Sequence, residues 1–421
     1  MKILWITNMP VGAMAEYLTG QPSHGLWIDA LRYDFEKHHE HTLIIASVGD
    51  VKKTLKIEKN STVYYLLPGK SATQYNCEDS KRVDEWKEIM NECKPDLIQV
   101  WGSEFQHGVA ALRSAESIPA VVYVQGLAES LARYYFAGMT VKEIHKAVTL
   151  RDVIEKNTFT QQKRGWEKQI PYEKELMTRA GNVIGENLWC RAHCRSIAAE
   201  AKYHVCPLSI GEAFFQQTWE LENTEDFTII CNAANYPLKG LQTLLRAIPL
   251  IKRRYPKVKL YVPGNSLRQG NDLKTRLKNT GFDKYIKGLL KELDIEKNIE
   301  FIGRLSQDDL AARMAKTRVF VMCSALENHS STLKEAMTVG IPCVASNVGG
   351  VPEYIRHGKN GFLYRYEEYE MIAEYVCELF SSDLLCRRFS ENAKADMRKL
   401  HAGNNIYQTI CDIYGQIVGV K

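Results

Sequence analysis

The stretch that decides the fold is Val319–Gly350, which reads VFVMCSALENHSSTLKEAMTVGIPCVASNVGG. The apolar, β-branched run from Val319 to Cys323 predicts a buried strand, and the polar residues after it predict a loop. Thr332 to Val339 predicts a helix that stops at Gly340. Cys343 to Ser346 predicts a second strand. The stretch is therefore a strand–loop–helix–strand unit, and its ligand edge is the loop that follows the first strand.

Two carboxylates flank this loop, Glu327 beside it and Glu335 one turn into the helix. The small or polar residues between them are Asn328, His329, Ser330, Ser331 and Thr332. Their backbone amides open a helix N-terminus, where unpaired N–H groups and the helix dipole both favour an anion such as phosphate. A phosphate site between two carboxylates predicts a sugar nucleotide, with one carboxylate on ribose hydroxyls and the other on sugar hydroxyls.

Both carboxylates also have a purely structural interpretation. Thr332 with Glu335 three residues later forms an ordinary capping box, and Glu327 in a polar loop can simply be solvated. A ligand site is favoured by the motifs that follow in order. These are Glu-Ala-Met at 335–337, Gly-Ile-Pro-Cys-Val-Ala-Ser at 340–346, Gly-Gly-Val-Pro-Glu at 349–353 and His-Gly-Lys-Asn-Gly-Phe-Leu at 357–363.

This ordered set resembles the donor-site signature of retaining glycosyltransferase family 4, among the glycosyl transferases group 1. The resemblance implies an α/β fold with two Rossmann-like domains facing each other across a cleft, the glycosyltransferase-B architecture. It also implies an enzyme of the hexosyltransferase type that moves a sugar from a nucleotide diphosphate sugar, with retention, in polysaccharide or glycoconjugate biosynthesis. The match is specific from about residue 227 to 364, and the N-terminal half agrees only in layout.

The resemblance also implies roles for individual residues. Glu327 would bind the sugar hydroxyls and stabilise the developing positive charge, while Lys239 would neutralise the departing diphosphate. Glu335 would bind ribose, and the backbone of 328–332 would bind the phosphates and the sugar. The alternative for Lys239 is a solvated lysine at a helix start.

Further donor contacts are expected from Gly303 and Arg304, which end a predicted strand, and from Gly25, which stands where the family has a glycine-rich turn. Gly25 has a structural alternative, because together with Gly20 it can merely shape a long loop.

Two positions depart from the family pattern. Gln125 stands where the family often has a histidine, although His107 lies near the neighbouring loop. Ala234 stands where an arginine usually accompanies the lysine, so half of the cationic clamp is missing or is supplied by another residue such as Arg304. These departures keep two alternatives open: a non-catalytic partner in a polysaccharide assembly complex, and a sugar-nucleotide epimerase on the same architecture.

With 421 residues, the chain is expected to form two domains. We predict an acceptor-side domain over 1–206 and a nucleotide-sugar-binding domain over 207–400. A last helix at about 401–421 is expected to pack back on the first domain, as the family implies. Residues 131–172 interrupt the alternation of strands and helices, and we interpret them as helices or as an excursion over the first domain.

Composition narrows the setting of the protein. The 11 scattered cysteines suit free thiols in a reducing compartment, and the first residues read as a strand and not as a signal peptide, so we expect a cytoplasmic protein. The net charge of +5 is too mild to predict a nucleic-acid partner. Because Asp-x-Asp is absent from the sequence, a metal-bridged diphosphate has no expected ligand, and we predict neither metal nor cofactor.

The segment 141–170 indicates where an acceptor could be found. It carries seven basic and four acidic residues, with Phe159 and Trp166 among them and Tyr134–Phe136 just upstream. Basic residues beside aromatics suit an anionic lipid surface. The segment therefore predicts peripheral contact at the inner face of the membrane. The family resemblance implies a glycan or lipid-linked acceptor, which gives such a surface a purpose. The alternative is a solvated helical excursion with buried aromatics.

Overall fold

The computed structural model describes residues 1–21, 27–115, 117–232, 236–264, 278–401 and 406–419. The chain forms two compact units. The first unit comprises Met1–Glu129, Trp166–Ser209 and Asn404–Lys421, and the second comprises Ser130–Gly165 and Ile210–Gly403.

The first unit is built on an eight-stranded sheet in the order β3-β4-β2-β1-β5-β6-β7-β8. Every neighbouring pair is parallel except β3 and β4, which are antiparallel at one edge. The strands are β1 (Lys2–Thr7), β2 (Thr42–Gly49), β3 (Leu55–Lys59), β4 (Thr62–Pro68), β5 (Leu97–Trp101), β6 (Ala120–Tyr123), β7 (Asn182–Gly185) and β8 (Lys202–Val205). The central strands β1 and β5 are apolar and buried on both faces, as a parallel sheet covered by helices on both sides requires.

The second unit has a six-stranded sheet, all parallel, in the order β11-β10-β9-β12-β13-β14. Its strands are β9 (Glu225–Cys231), β10 (Lys259–Pro263), β11 (Ile299–Gly303), β12 (Thr317–Met322), β13 (Cys343–Ser346) and β14 (Phe362–Tyr364). β12 lies between β9 and β13, with Val321 in register with both Cys231 and Val344. The loops that follow these three strands therefore leave the sheet at the same edge, which is where open α/β sheets bind ligands.

Helices connect the strands in both units. In chain order the described α-helices are Ala13–Thr19, Trp27–His38, Ser80–Cys93, Gln106–Arg113, Ala128–Tyr134, Val141–Ala147, Leu150–Ile154, Phe159–Ala180, Leu188–Ile197, Glu212–Gln216, Leu241–Arg254, Gly281–Glu292, Gln307–Ala315, Ser331–Val339, Tyr369–Ser381, Asp383–His401 and Ile406–Val418. Among these described helices, none combines the length and the apolar character that crossing a bilayer requires.

The helix Ile406–Val418 packs within the first unit. Tyr414 is fully buried, and its hydroxyl accepts a hydrogen bond from Trp5 Nε1 at 3.0 Å and donates one to Gln99. Tyr407 stacks on His38 and meets Phe35 edge to face. This helix therefore closes one face of the first sheet over β1 and β5.

Residues 131–172 are largely helical, as one of the two interpretations predicts. Their part up to Gly165 groups with the second unit, so the alternative of an excursion over the first domain is wrong for that part. Glu143 accepts hydrogen bonds from Tyr285 Oη at 2.9 Å and from Arg246. Gln242 Nε2 donates to the carbonyl oxygen of Ala137 at 3.1 Å. These long-range contacts attach the excursion to the helices Leu241–Arg254 and Gly281–Glu292 of the second sheet.

Candidate functional site

The N-cap of the helix after the β12 loop lies two residues earlier than predicted. Ser330 is its N-cap, and the Ser330 hydroxyl accepts a hydrogen bond from the Leu333 N–H at 3.3 Å. The helix ends as predicted at Gly340, which has a left-handed φ of 92°. Thr332 lies inside the first turn, so the prediction of Thr332 as N-cap is wrong and the capping box with Glu335 does not form.

The Glu335 side chain consequently takes no part in capping the helix N-terminus. Its side chain makes no hydrogen bond to any residue that the structure describes. Burial raises the pKa of Glu335 to about 7, and the neighbouring Lys334 charge only partly opposes that rise. A half-buried carboxylate without a hydrogen-bond partner is costly to ionise, so a ligand that offers hydroxyl groups would stabilise it.

Glu327 lies in the loop after β12 and forms an ion pair with Lys239. The Glu327 side chain is 9% exposed, and its Oε1 lies 2.8 Å from Lys239 Nζ. The same oxygen accepts a hydrogen bond from the Ser324 hydroxyl at 2.6 Å. Burial on its own would lower the pKa of Lys239, but the Glu327 carboxylate outweighs it and raises that pKa above its ordinary value. Lys239 is therefore held as a cation at this edge of the sheet.

Lys239 reaches Glu327 because the loops after β9 and β12 are in direct contact. Lys239 ends a short 3-10 turn over Pro237–Lys239, and the Ala325 N–H donates to the Leu238 carbonyl at 2.7 Å. Gly240 follows with φ 73°, and a Cβ there would lie 1.6 Å from the Cys323 carbonyl oxygen. Only glycine fits this contact, which explains the Lys-Gly pair seen in the sequence.

The Gly-Gly pair after β13 supports Glu327 from the other side. Gly349 has φ 53°, and a Cβ there would lie 1.7 Å from the Glu327 carbonyl oxygen. That oxygen accepts a hydrogen bond from the Gly350 N–H at 3.1 Å. The backbone of Glu327 is thus held between two loops, which orients its side chain without relying on solvent.

The structure adds Asn232 and Ser324, which the sequence analysis did not single out. Asn232 Nδ2 donates to the Ser324 hydroxyl at 3.0 Å, and Asn232 Oδ1 accepts from the Cys323 N–H at 3.1 Å. Asn232 is 3% exposed. It links the end of β9 to the residue that binds Glu327. The available signal was an asparagine directly after a buried strand, at the ligand edge of a parallel sheet.

The remaining predicted donor residues are less closely gathered. Asn328 and Ser330 are buried in the loop beside Glu327. Gly303 ends β11 with φ 72°, and Arg304 beside it is exposed, with no hydrogen bond or ion pair to the described residues. β10 separates β11 from β9, so Arg304 leaves the same sheet edge about 10 Å from the Lys239 loop. Gly25 and Ala234 lie outside the described residues.

The corresponding edge of the first unit carries Gln125, which accepts a hydrogen bond from Asn8 Nδ2 at 3.2 Å. Burial raises the pKa of Glu104 to about 7 and that of Glu173 to about 8. His107 is fully buried, and burial lowers its pKa to about 4, so it is neutral near pH 7 and inaccessible from the surface. This buried position does not suit His107 as a replacement for the histidine absent at 125.

The edge of the second sheet combines one partly buried cation–carboxylate pair, one carboxylate without a hydrogen-bond partner among the described residues, and the start of a nine-residue helix. Over the part of the chain that the structure describes, no cluster of three or more His, Cys, Asp or Glu side chains has the arrangement of a metal site. The groups present can bind an anion beside polyhydroxyl groups.

Solved structures define the class of fold. Sucrose-phosphate synthase (tll1590) from Thermosynechococcus elongatus is similar over 100% of both chains, with a TM-score of 0.72 at 16% identity. Anabaena Alr3699/HepE, solved in complex with UDP-glucose, is similar over 99% of this chain and 100% of its own, with a TM-score of 0.67 at 15% identity. The predicted fold class, two Rossmann-like α/β domains of the glycosyltransferase-B type, is confirmed.

Residues 214–396 match the model of a family described as glycosyl transferases group 1. This segment contains Lys239, Glu327 and Glu335, so the resemblance to group 1 is confirmed where the motifs lie. N-acetyl-alpha-D-glucosaminyl L-malate synthase of Bacillus anthracis is 32% identical over 125 residues, which are 29% of this chain and 32% of that protein. The GDP-mannose-dependent alpha-(1-6)-phosphatidylinositol monomannoside mannosyltransferase of Mycobacterium tuberculosis (strain CDC 1551 / Oshkosh) is 29% identical over 159 residues, 36% of this chain and 38% of that protein. The chain therefore spans roughly a third of the length of these curated relatives.

Proposed function

We propose that this protein is a glycosyltransferase that moves a hexose-type unit from a nucleotide diphosphate sugar to a glycan or lipid-linked acceptor, with retention at the anomeric carbon. The observation that carries the proposal is the Lys239–Glu327 ion pair at the ligand edge of the second sheet, beside the start of the helix Ser331–Val339. Retention follows from the family resemblance, as does the setting in polysaccharide or glycoconjugate biosynthesis.

The geometry supports separate roles for Lys239, Glu327 and Glu335 in binding the donor. The diphosphate would take Lys239 as its counter-ion and would bind the N–H groups at the start of the helix. Lys239 would then partly release Glu327, whose carboxylate would bind sugar hydroxyls and stabilise the positive charge that develops at the anomeric carbon. Glu335, without a hydrogen-bond partner in the described structure, would bind the ribose hydroxyls.

Two of the similar proteins support the donor class. The mycobacterial relative is described as GDP-mannose-dependent, and the Anabaena structure holds UDP-glucose. We propose that the reaction needs no metal and no resident cofactor, because Lys239 and the helix N-terminus together supply the positive potential that a metal would otherwise provide.

A thermal-shift screen against UDP-glucose, UDP-galactose, UDP-N-acetylglucosamine and GDP-mannose tests the donor assignment, because a ligand that binds the folded state raises its stability. A donor that stabilises the wild type should fail to stabilise Glu335→Ala. It should still stabilise Glu370→Ala, a control at an exposed glutamate of the same unit. Stabilisation that is equal in all three proteins would remove Glu335 from the donor site.

Activity measurements separate the two alternatives. Slow hydrolysis of the stabilising donor by wild type, and its loss in Glu327→Gln, would contradict a non-catalytic partner. Chromatography of the nucleotide sugar after incubation without acceptor identifies an epimerase by the appearance of a second sugar nucleotide. If the protein shows neither hydrolysis of the donor nor transfer to any acceptor, the proposed enzyme activity is contradicted.

We also propose a cytoplasmic location with peripheral contact between the segment 141–156 and an anionic membrane. The aromatics expected to face the lipid do not all do so, because Tyr135 and Phe159 are buried. In their place the segment exposes aliphatic side chains. Val141 is 69% exposed, Leu150 65%, Val153 53% and Ile154 71%. The charged residues Lys142, Lys146, Arg151 and Lys156 lie among them, as in surfaces that combine apolar insertion with headgroup attraction.

A further inference from the structure

A second concave site lies in the second unit, outside the loop that carries Glu327. It is a cavity of about 520 Å³ between the helix Val141–Ala147 and the helices Leu241–Arg254 and Gly281–Glu292. It adjoins another cavity of about 570 Å³, and the two share Glu143, Lys146, Tyr285 and Glu292. Each volume falls within the range of about 300–1,000 Å³ that is usual for small-molecule sites. None of the three proposed donor-binding side chains lines either cavity.

The rim of this cavity is fixed by buried hydrogen bonds. Gln242, which is 3% exposed, donates from Nε2 to the carbonyl oxygens of Ala137 at 3.1 Å and Pro237 at 2.9 Å. The Tyr366 hydroxyl donates to the same Ala137 carbonyl at 2.9 Å. Ala137 itself adopts φ 46°, a conformation that is unfavourable for alanine and that surrounding contacts must maintain. The cavity is therefore built before any ligand arrives.

One group of charges in the wall is already neutralised. Glu143 accepts hydrogen bonds from the N–H and the hydroxyl of Thr140 on one oxygen, at 2.7 and 2.8 Å. Its other oxygen accepts from Tyr285 at 2.9 Å and pairs with Arg246. Because Arg246 is matched in this way, its guanidinium is not available as the counter-ion of a phosphate or a nucleotide.

The other charged groups in the wall remain available for a ligand. Lys142, Lys146, Glu292 and Glu367 make no hydrogen bond or ion pair to any residue within the described ranges. Two are cationic and two are anionic, so they supply both hydrogen-bond donors and acceptors without net charge. A lipid tail would find these groups unfavourable, whereas hydroxyl groups can pair with both kinds.

Three tyrosines supply the apolar surface of the same cavity. Tyr285, Tyr366 and Tyr369 line it, and the Tyr369 side chain makes no hydrogen bond to a described residue. Tyrosine presents a flat apolar face together with a polar hydroxyl. A sugar ring has the complementary surface, because its C–H groups form apolar patches and its edges carry hydroxyls.

We propose that this cavity binds a neutral glycan at a site separate from the donor loop. The proposal deepens the proposed function, since a glycan is the acceptor or product of such an enzyme, and it rests on that function for the identity of the ligand. Gln242 also gives the site a connection to the chemistry. Its bond to Pro237 reaches the turn that ends at Lys239, so a glycan against this wall borders the segment that holds the donor's counter-ion.

The test measures binding of maltotriose, cellotriose, chitotriose and mannotriose to the full chain by saturation-transfer NMR and calorimetry. At least one trisaccharide should bind wild type, and Tyr369→Ala should weaken that binding about tenfold or more, the loss of one good contact. Tyr134→Ala is the matched control, because Tyr134 is a 45% exposed tyrosine of the same unit that does not line the cavity. Glu292→Gln adds a second, conservative change in the wall.

The outcomes distinguish this site from the donor site. Trisaccharide binding that survives Glu335→Ala and falls in Tyr369→Ala supports the proposal. Binding that is lost in Glu335→Ala but unchanged in Tyr369→Ala places the sugar in the donor loop and overturns it, while the proposed function stands. The absence of trisaccharide binding at millimolar concentration, with nucleotide sugars still bound, also overturns it. Trisaccharide binding at the cavity without any nucleotide-sugar binding would overturn the proposed function alone.

Discussion

Removing the positive charge of Lys239 should destabilise the second unit through the carboxylate that it leaves behind. In Lys239→Met, Glu327 keeps only the Ser324 hydroxyl as a side-chain partner in the described structure, although its side chain is 9% exposed. At the observed 2.8 Å, an effective dielectric constant of about 20 gives a Coulomb attraction of about 6 kcal/mol. Breaking a fully buried pair costs about 3–5 kcal/mol.

The expected cost is smaller than that range for two reasons. The Lys239 side chain is 28% exposed, so solvent screens part of the attraction, and the Ser324 hydrogen bond remains. We expect about 2 kcal/mol for Lys239→Met. For a domain of 150–250 residues, about 1 kcal/mol corresponds to about 2–4 °C. Lys239→Met should therefore lower the Tm of the second unit by about 4–8 °C.

A double-mutant cycle with Glu327→Gln isolates the pair from other effects of the substitution. Once Glu327 is neutral, Lys239→Met should cost at least about 1 kcal/mol less than it does in wild type. Lys252 and Asp294 provide a control cycle, since that pair is exposed and 3.7 Å apart and should show almost no coupling. Additivity of the Lys239 and Glu327 changes within about 0.5 kcal/mol would refute the reasoning.

The remaining predictions concern the same unit. The folded pKa of Glu335 lies near 7, above its ordinary 4.5, so its stabilising contribution is complete below pH 4.5 and is lost as pH rises through 7. The Tm of Glu335→Gln should equal that of wild type at pH 4 and should be higher than that of wild type at pH 8. A difference in Tm that stays the same at both pH values would contradict this. Gly349→Ala should abolish donor binding and lower the Tm, whereas Gly358→Ala, also at positive φ but with open space around it, should cost only about 1–2 kcal/mol. Donor hydrolysis should survive EDTA; loss on chelation with recovery in magnesium or manganese would show that a metal is needed. The amount of protein that sediments with anionic liposomes should fall with added salt and in the double variant Leu150→Glu/Ile154→Glu. If wild type does not sediment with these liposomes at low salt, the proposed membrane contact is wrong.

The strand–loop–helix–strand unit around Glu327 was predictable because its signals are local. A short β-branched run gives β12, and a glycine at 340 ends the helix, since that position needs a left-handed backbone. The start of the helix was misplaced because Ser330, Ser331 and Thr332 are all good N-caps. Local preference does not rank three adjacent hydroxyl residues, and the choice depends on how the preceding loop packs.

The central ion pair could not be read from the sequence by physical pattern alone. Lys239 and Glu327 are 88 residues apart and meet only because β9 and β12 are neighbours in the sheet. The same limit explains the misplaced excursion. The structure forms a helix over Val141–Ala147, but the surface that its buried residues Ile144 and Ala147 cover depends on tertiary contacts such as Arg246 with Glu143.

The burial of Tyr414 has a consequence for the order in which the protein is completed on the ribosome. Domains generally fold as units during synthesis, with the N-terminal one first. Here Trp5 and Gln99 bind the hydroxyl of Tyr414, a residue that is synthesised more than 300 residues later. The first unit must therefore persist with one side of its core uncovered while the long continuous part of the second unit, Ile210–Gly403, is already available to fold. We expect nascent chains that stop before residue 406 to hold the first unit in a chaperone-dependent state, and addition of the last helix to release it.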